Sequence, residues 1–327
     1  MSDLFTLHCG DALDWLKSLP DDAARLLITS PPYEAQRSYG LGFKLRGQAW
    51  VDWMRPIVVE ACRVTRGLVV VNAAGPVKGG SYSPSMEWLV SDLTRLDGVV
   101  CGPAPYVWWK VCGTPGSGAT TQQRRDWEPL YTFCRPDVLP LKWADNTAFG
   151  HPPKFEAGGD FTTRAADGVR ANAKKVSGWK ANGQTFRNPD GTMRLKVFAP
   201  PAVSNPGNVI RAVAVDEGGS VVEARVGGGH QGHDLAHDSE APMALAVAER
   251  FVRWFCPPNE CVLDCFAGSG TTGHAAILHG RRFLGNDLRQ SQVDLSRRRL
   301  EQVSGDGPGS LFAGQTDLQR DFLENLP

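Results

Sequence analysis

The chain has 327 residues, enough to bury a large core, and its 35 Lys plus Arg balance its 35 Asp plus Glu, so no net field steers the molecule toward nucleic acid and any anionic partner must meet a local patch. Eight cysteines (Cys9, Cys62, Cys101, Cys112, Cys134, Cys256, Cys261, Cys265) form no C-x-x-C pair and several sit in apolar runs. That pattern disfavours a disulfide framework or zinc knuckle and points to reduced thiols in a cytoplasmic protein. No apolar stretch approaches the ~18 residues of a membrane span, and the opening "MSDLFTLHCG" has neither a basic region nor a long hydrophobic one, so neither secretion nor membrane insertion is expected.

In chain order, "LFTLHC" (4–9), "RLLIT" (25–29), "GLVVV" (67–71), "YVWWKV" (106–111) and "PLYTF" (129–133) read as strands, being rich in β-branched and aromatic residues. Between them, 11–19, 48–64 and 85–96 carry apolar residues three and four apart, as helices do. Such alternation predicts a mostly parallel sheet with helices on its faces. From 136 to 236 Gly, Pro, Asn and Asp are dense and periodicity is poor. Within it, residues 164–196 hold eight basic side chains against two acidic, with Trp179 and Phe186 interleaved. This reads either as a solvated insertion or as a basic surface for nucleic acid, with Lys174, Lys175, Lys180 and Arg187 as candidate phosphate contacts. Order returns with a helix at 239–256, for which Ser239 is the expected N-cap. A strand (261–266), a glycine-rich turn, a helix (271–279), a strand (282–288) and a helix (290–303) follow, and the tail from 304 is polar.

Two stretches carry chemistry. In "ITSPPY" (28–33), Pro31 and Pro32 end the strand ladder because proline has no N–H. Ser30 and Pro31, each preceding a proline, are held extended. A stiff backbone thus leaves a strand end with exposed carbonyls, followed by the aromatic Tyr33. A plain loop would look the same on this stretch alone. In "DCFAGSGTTG" (264–273), Gly268, Gly270 and Gly273 satisfy G-x-G-x-x-G, and Asp287 follows Gly268 by 19 residues at the end of the next strand. Glycines admit a cofactor to the backbone at a helix N-terminus, and a carboxylate one strand over accepts from ribose hydroxyls. The spacing suits a nicotinamide dehydrogenase as well as other nucleoside-cofactor enzymes. Topology favours the others: a dinucleotide fold needs several βα units after its glycine turn, and only one strand follows here. The C-terminal β-α-β-α piece must therefore complete its sheet with the N-terminal strands, and both motifs face one cleft. His230, His233 and His237 lack the companions of a metal site, so no metal is expected.

"TSPPY" near the N-terminus, a basic irregular middle, and "VLDCFAGSGTT" with "GRRFLGNDL" near the C-terminus resemble the β-group of DNA amino-methyltransferases. The likeness extends to "HCGDALDWL" (8–16), "YVWWK", "RRDWEPLYTF" (124–133) and "HDSEAP" (237–242), and so to nearly the whole chain. It implies a circularly permuted Rossmann-like methyltransferase sheet with an irregular target-recognition insertion. The halves would be 1–135 (catalytic) and 237–303 (cofactor-binding), with the insertion at 136–236 and a tail at 304–327. It also implies methyl transfer from S-adenosylmethionine to an exocyclic base nitrogen of double-stranded DNA. A paired restriction endonuclease is a possible partner, and the oligomeric state is left open. Ser30 and the Pro31 carbonyl would accept from the target amino group, within a catalytic stretch that includes Pro32, and Tyr33 would stack on the flipped base. Phe266, Gly268, Ser269, Gly270 and Thr271 would wrap the cofactor. Asp264 would neighbour its ammonium, Asp287 its ribose hydroxyls and Asp11 its adenine. The chain departs from the family twice. Cys265 replaces the proline of the usual "DPF", and Asp287 replaces the usual glutamate. In the family Ser at position 30 goes with N4-cytosine and Asp or Asn with N6-adenine, so N4-cytosine is expected and N6-adenine is the alternative.

Overall fold

A computed structural model describes residues 4–34, 42–78, 80–96, 98–102, 105–109, 127–139, 161–164, 170–173, 184–187, 193–196, 209–211, 213–215, 221–223, 233–235 and 243–305. The chain falls into two compact units, Met1–Asp145 with Gly207–Pro327, and Asn146–Pro206. The first half of the larger unit runs β1 (Phe5–Cys9), α1 (Ala12–Ser18), β2 (Ala24–Thr29), α2 (Gln48–Val64), β3 (Thr65–Asn72), β4 (Val77–Lys78), β5 (Ser81–Tyr82), α3 (Ser85–Leu93), β6 (Val100–Cys101), β7 (Tyr106–Trp109) and β8 (Trp127–Cys134). The smaller unit holds two antiparallel ribbons, β9 (Phe161–Arg164) with β10 (Arg170–Ala173) and β11 (Gln184–Arg187) with β12 (Met193–Lys196). The larger unit resumes with β13 (Val209–Arg211), β14 (Val213–Val215), β15 (Val221–Glu223), α4 (Leu245–Phe255), β16 (Cys261–Asp264), α5 (Thr271–Leu278), β17 (Arg282–Asp287) and α6 (Gln290–Gly305).

The main sheet is ordered β1-β17-β16-β2-β3-β8-β7-β13, with β6 also on β8. From β1 to β3 every pairing is parallel, whereas β8 runs antiparallel to β3 and β7. The C-terminal strands thus lie between β1 and β2, which is the permuted order expected. The pleat explains the two helical layers, because side chains alternate faces along each strand. Leu26, Ile28, Leu68, Val70 and Val262 pack with residues of α4, α5 and α6 on one face. Leu27, Val69, Val71 and Leu263 pack with α1, α2 and α3 on the other. Every one of these nine strand residues is at most 1% exposed, as runs buried on both faces require.

Three expectations shift. Helix α4 starts at Leu245 with Ala244 in the cap position and no side-chain cap, not at Ser239, which lies outside the described residues. Proline disfavours helical geometry in the residue before it, and Pro242 interrupts the pattern that led the periodicity back to Ser239. The smaller unit is narrower than 136–236. Val209–Arg211, inside that range, pairs in parallel with β7. Among the described residues, no helix is long and apolar enough to cross a membrane.

Candidate active site

Strands β16 and β2 are neighbours, yet the chain leaves them toward opposite faces: α5 follows β16 on one, α2 follows β2 on the other. Crossovers that diverge from adjacent strands open a crevice at their carboxyl ends, where ligands of α/β sheets bind. Both sequence motifs emerge there. One cavity is lined by Gly10, Asp11, Ser30, Pro32, Asp264, Phe266, Gly268, Ser269, Thr271 and Asp287, with further walls from other residues. Seven of the eight expected cofactor residues are thereby brought together. Gly270 is the exception, and its part is steric. It caps α5 in left-handed geometry (φ 78°), and a Cβ there would sit 2.3 Å from the Ser296 hydroxyl.

The carboxylates differ in what they hold. Asp11 caps α1, accepting from the amides of Leu13 and Asp14 at 2.9 and 3.1 Å. Asp287 accepts from the Gly268 amide at 3.0 Å through one oxygen and from the Arg289 amide at 3.0 Å through the other. Its plane is therefore fixed against the glycine turn. Asp264 is 4% exposed. Its Oδ1 accepts from the Thr29 hydroxyl at 2.7 Å and the Phe266 amide at 3.0 Å, and its Oδ2 from the Thr272 hydroxyl at 2.8 Å. Burial pushes this carboxyl up to about 6, against the pull of those three donors.

At the other motif, the Ser30 hydroxyl donates to the Asn72 carbonyl at 3.2 Å. The Trp50 indole donates to the Pro32 carbonyl at 2.9 Å, fixing the turn against α2. Of the four expected catalytic residues, Ser30 and Pro32 line the cavity, and Pro31 and Tyr33 do not. The Tyr33 hydroxyl donates to Glu128 Oε2 at 3.1 Å, and its ring packs on the core beneath α2. Lys174, Lys175 and Lys180 lie outside the described residues, and Arg187 closes β11. His230 and His237 also lie outside them, while the His233 ring meets His274 edge-on at 5.8 Å.

Several lining residues carry no motif. Phe43 and Trp53 form an aromatic wall with Phe266, their rings in contact at 5.1 and 5.7 Å. Asn286 donates to the carbonyls of Gly10 and Cys265, tying the ends of β1, β16 and β17 together. Behind the turn, Arg299 is fully buried and donates to Ser269 and Thr271. Its position could be found from helical spacing, three residues after the buried Ser296.

A permuted doubly wound sheet with a glycine turn, a ribose-type carboxylate and a serine-proline strand end on one cavity defines a nucleoside-cofactor transferase architecture. Residues 24–298 match the DNA methylase (N6/N4 methyltransferase) family, and the chain belongs to it. It is a DNA methyltransferase. Type II methyltransferase M.ScaI of Streptomyces caespitosus is 26% identical over 310 residues, spanning 92% of this chain and 82% of that protein. DNA adenine methyltransferase YhdJ of Escherichia coli K12 is 24% identical over 303 residues, spanning 91% and 83%. Among solved structures, PvuII DNA methyltransferase (cytosine-N4-specific) shares the fold with a TM-score of 0.57 at 16% identity, covering 92% of each chain. A DNA modification methylase of Thermus thermophilus, TTHA0409, solved with S-adenosyl-L-methionine, does so at 0.52 and 20%, covering 91% of this chain and 94% of that one.

Proposed function

We propose that this chain methylates the exocyclic N4 of a cytosine flipped out of double-stranded DNA. S-adenosylmethionine is the donor and, when bound, supplies an electrophilic methyl on a sulfonium. The donor set suits it: carboxylates for a diol and an ammonium, a glycine turn that admits close approach, and an aromatic wall for a planar base. Asp287 holds the ribose hydroxyls, Asp11 lies toward the adenine, and Asp264 faces the ammonium with its one remaining lone-pair position. Phe266, Gly268, Ser269, Gly270 and Thr271 shape the wall around the rest.

The observation that carries the reading is the Ser30 hydroxyl. Its proton is committed to the Asn72 carbonyl, which leaves its lone pairs to accept from an amino group in the cavity. Among the described residues the Pro31 carbonyl has no donor, so it provides a second acceptor. A cytosine amino group is a poor nucleophile because its lone pair is delocalised into the ring. Acceptors on its two N–H bonds favour the pyramidal form and offset the positive charge that grows on nitrogen. Tyr33 stacks on the extruded base, since aromatic stacking holds a base outside the helix. Lys174, Lys175, Lys180 and Arg187 contact phosphates, and 136–236 reads the target sequence, between a catalytic half at 1–135 and a cofactor half at 237–303.

Adenine N6 is the second reading. The same acceptor pair serves an adenine amino group, and YhdJ is named an adenine methyltransferase. The type II name of M.ScaI supports a paired restriction endonuclease, and action on DNA with free thiols supports a cytoplasmic site. The test is single-turnover transfer of labelled methyl to duplex DNA, followed by digestion and mass spectrometry of the bases. N4-methylcytosine is expected. N6-methyladenine would overturn the choice of base, and absence of transfer with bound donor would overturn the assignment of this cavity.

A further inference from the structure

Arg299 lies on α6 with its guanidinium beneath the glycine turn, at 0% exposure. Its Nη1 donates to the Thr271 hydroxyl at 3.0 Å, and to the hydroxyl and carbonyl of Ser269 at 3.3 Å each. Its Nε and Nη2 lie 3.3 and 3.1 Å from His274 Nδ1. A guanidinium has donors only, so every group it touches must accept. For His274 this fixes the tautomer with the proton on Nε2, and burial with the adjacent guanidinium drives its pKa down to about 3, so the ring stays neutral. For the two hydroxyls the consequence points outward. Each spends a lone pair on Arg299, and neither donates its proton to a described residue. Ser269 is 3% and Thr271 5% exposed, and both line the cavity.

Thr272, the next residue, has the opposite arrangement: its proton goes to Asp264. One end of the cavity therefore has two hydroxyl donors backed by a buried cation at the start of α5, beside a carboxylate of opposite charge. Burial lowers the Arg299 pKa only to about 10, so the guanidinium is charged at neutral pH. An α-amino acid has the complementary pair of groups, a carboxylate and an ammonium.

We infer that Arg299 is a positioning residue that turns the Ser269 and Thr271 hydroxyls into donors toward the cavity, making that end the subsite for the carboxylate of the methyl donor. The inference rests on S-adenosylmethionine being the ligand of this cavity. Arg299 acts through the hydroxyls, so its removal affects recognition of one group on the ligand and spares the rest.

The experiment is calorimetric binding of two probes, S-adenosylmethionine and decarboxylated S-adenosylmethionine, which keeps the nucleoside, sulfonium and ammonium. Wild-type protein should prefer the first. In Arg299→Met its affinity should fall about 10- to 100-fold, the scale of a lost hydrogen bond to a charged group. The decarboxylated probe should bind nearly as before, so that the preference collapses. Arg299→Lys should recover only part of it, because one ammonium cannot reproduce the planar fork. Should Arg299→Met fail to fold, Ser269→Ala/Thr271→Val carries the same test without touching the buried cation, and should erase the same preference. Equal weakening of both probes, or an unchanged preference, would overturn the inference. Failure of wild-type protein to bind either probe would instead overturn the cofactor assignment.

Discussion

Asp264→Asn removes a buried charge while keeping the shape that joins the two motifs. The wild-type carboxyl titrates near 6 in the fold against an ordinary 3.8, with burial as the principal cause. A carboxyl whose pKa is raised binds its proton more tightly folded than unfolded. It therefore favours the fold most below pH ~4, and that contribution is lost as pH rises through ~6. The two-unit shift corresponds to about 3 kcal/mol between those limits. Asparagine does not titrate, its oxygen can still accept from Thr29 and the Phe266 amide, and its NH2 can donate to a Thr272 hydroxyl that turns to accept. The difference in unfolding free energy, variant minus wild type, should thus rise by about 3 kcal/mol from pH 4 to pH 7.5. Urea denaturation of both proteins across that range measures it, with every other titrating group cancelling in the difference. A difference that stays flat, or that moves against the variant as pH rises, would refute the account of this carboxyl.

Ser30→Ala should lower the single-turnover methyl-transfer rate on the order of 10²-fold, the scale of one preorganised transition-state partner. DNA and S-adenosylmethionine affinities should stay near wild type, and an unchanged rate would reduce the motif to a turn. Asp287→Ala should cost most of the S-adenosylmethionine affinity by calorimetry, since it loses charge-assisted bonds of roughly 1.5–3 kcal/mol each, and DNA affinity should hardly change. Neutralising Lys174, Lys175, Lys180 and Arg187 together should weaken DNA binding broadly and flatten its dependence on salt. An unaltered salt slope in filter binding would remove this segment from the DNA surface.

What could be read from the sequence was whatever covalent geometry writes locally. Pro31 and Pro32 end a strand wherever they stand, and Gly270 occupies a left-handed position that the sequence marks directly. The permuted order was legible too, because one strand after a glycine turn cannot make a sheet. The aromatic wall was not. Trp53 shares a helix with Trp50, and helical periodicity treats both as core; yet Trp50 is 1% exposed, while Trp53 lines the cavity. The antiparallel β8 and the added β13 are likewise choices of partner between distant segments, which no local pattern encodes. Arg299 was hidden by its neighbours. In "SRRRL" (296–300) three arginines read as a solvated basic run, and only the helical phase separates the buried one from Arg297 and Arg298, which are exposed.

The Asp264 carboxylate explains why two motifs more than 230 residues apart can serve one reaction. Its partners are Thr29, which directly precedes Ser30, and Thr272, in the first turn of the helix that follows the glycines. Adjacent parallel strands already fix the spacing of their ends to within a pleat, but β16 and β2 pair in register only through Val262–Leu26 and Leu263–Leu27. Beyond that point the main-chain ladder gives out, and the side-chain bridge takes over where the two turns diverge. Each hydroxyl must donate to the carboxylate, so neither threonine can rotate without leaving a buried anion less satisfied, which is costly at 4% exposure. The acceptor atoms on one turn and the donor-binding turn on the other are thereby held at a fixed separation by a buried, hydrogen-bonded group. That is the preorganisation an in-line transfer between two bound molecules requires.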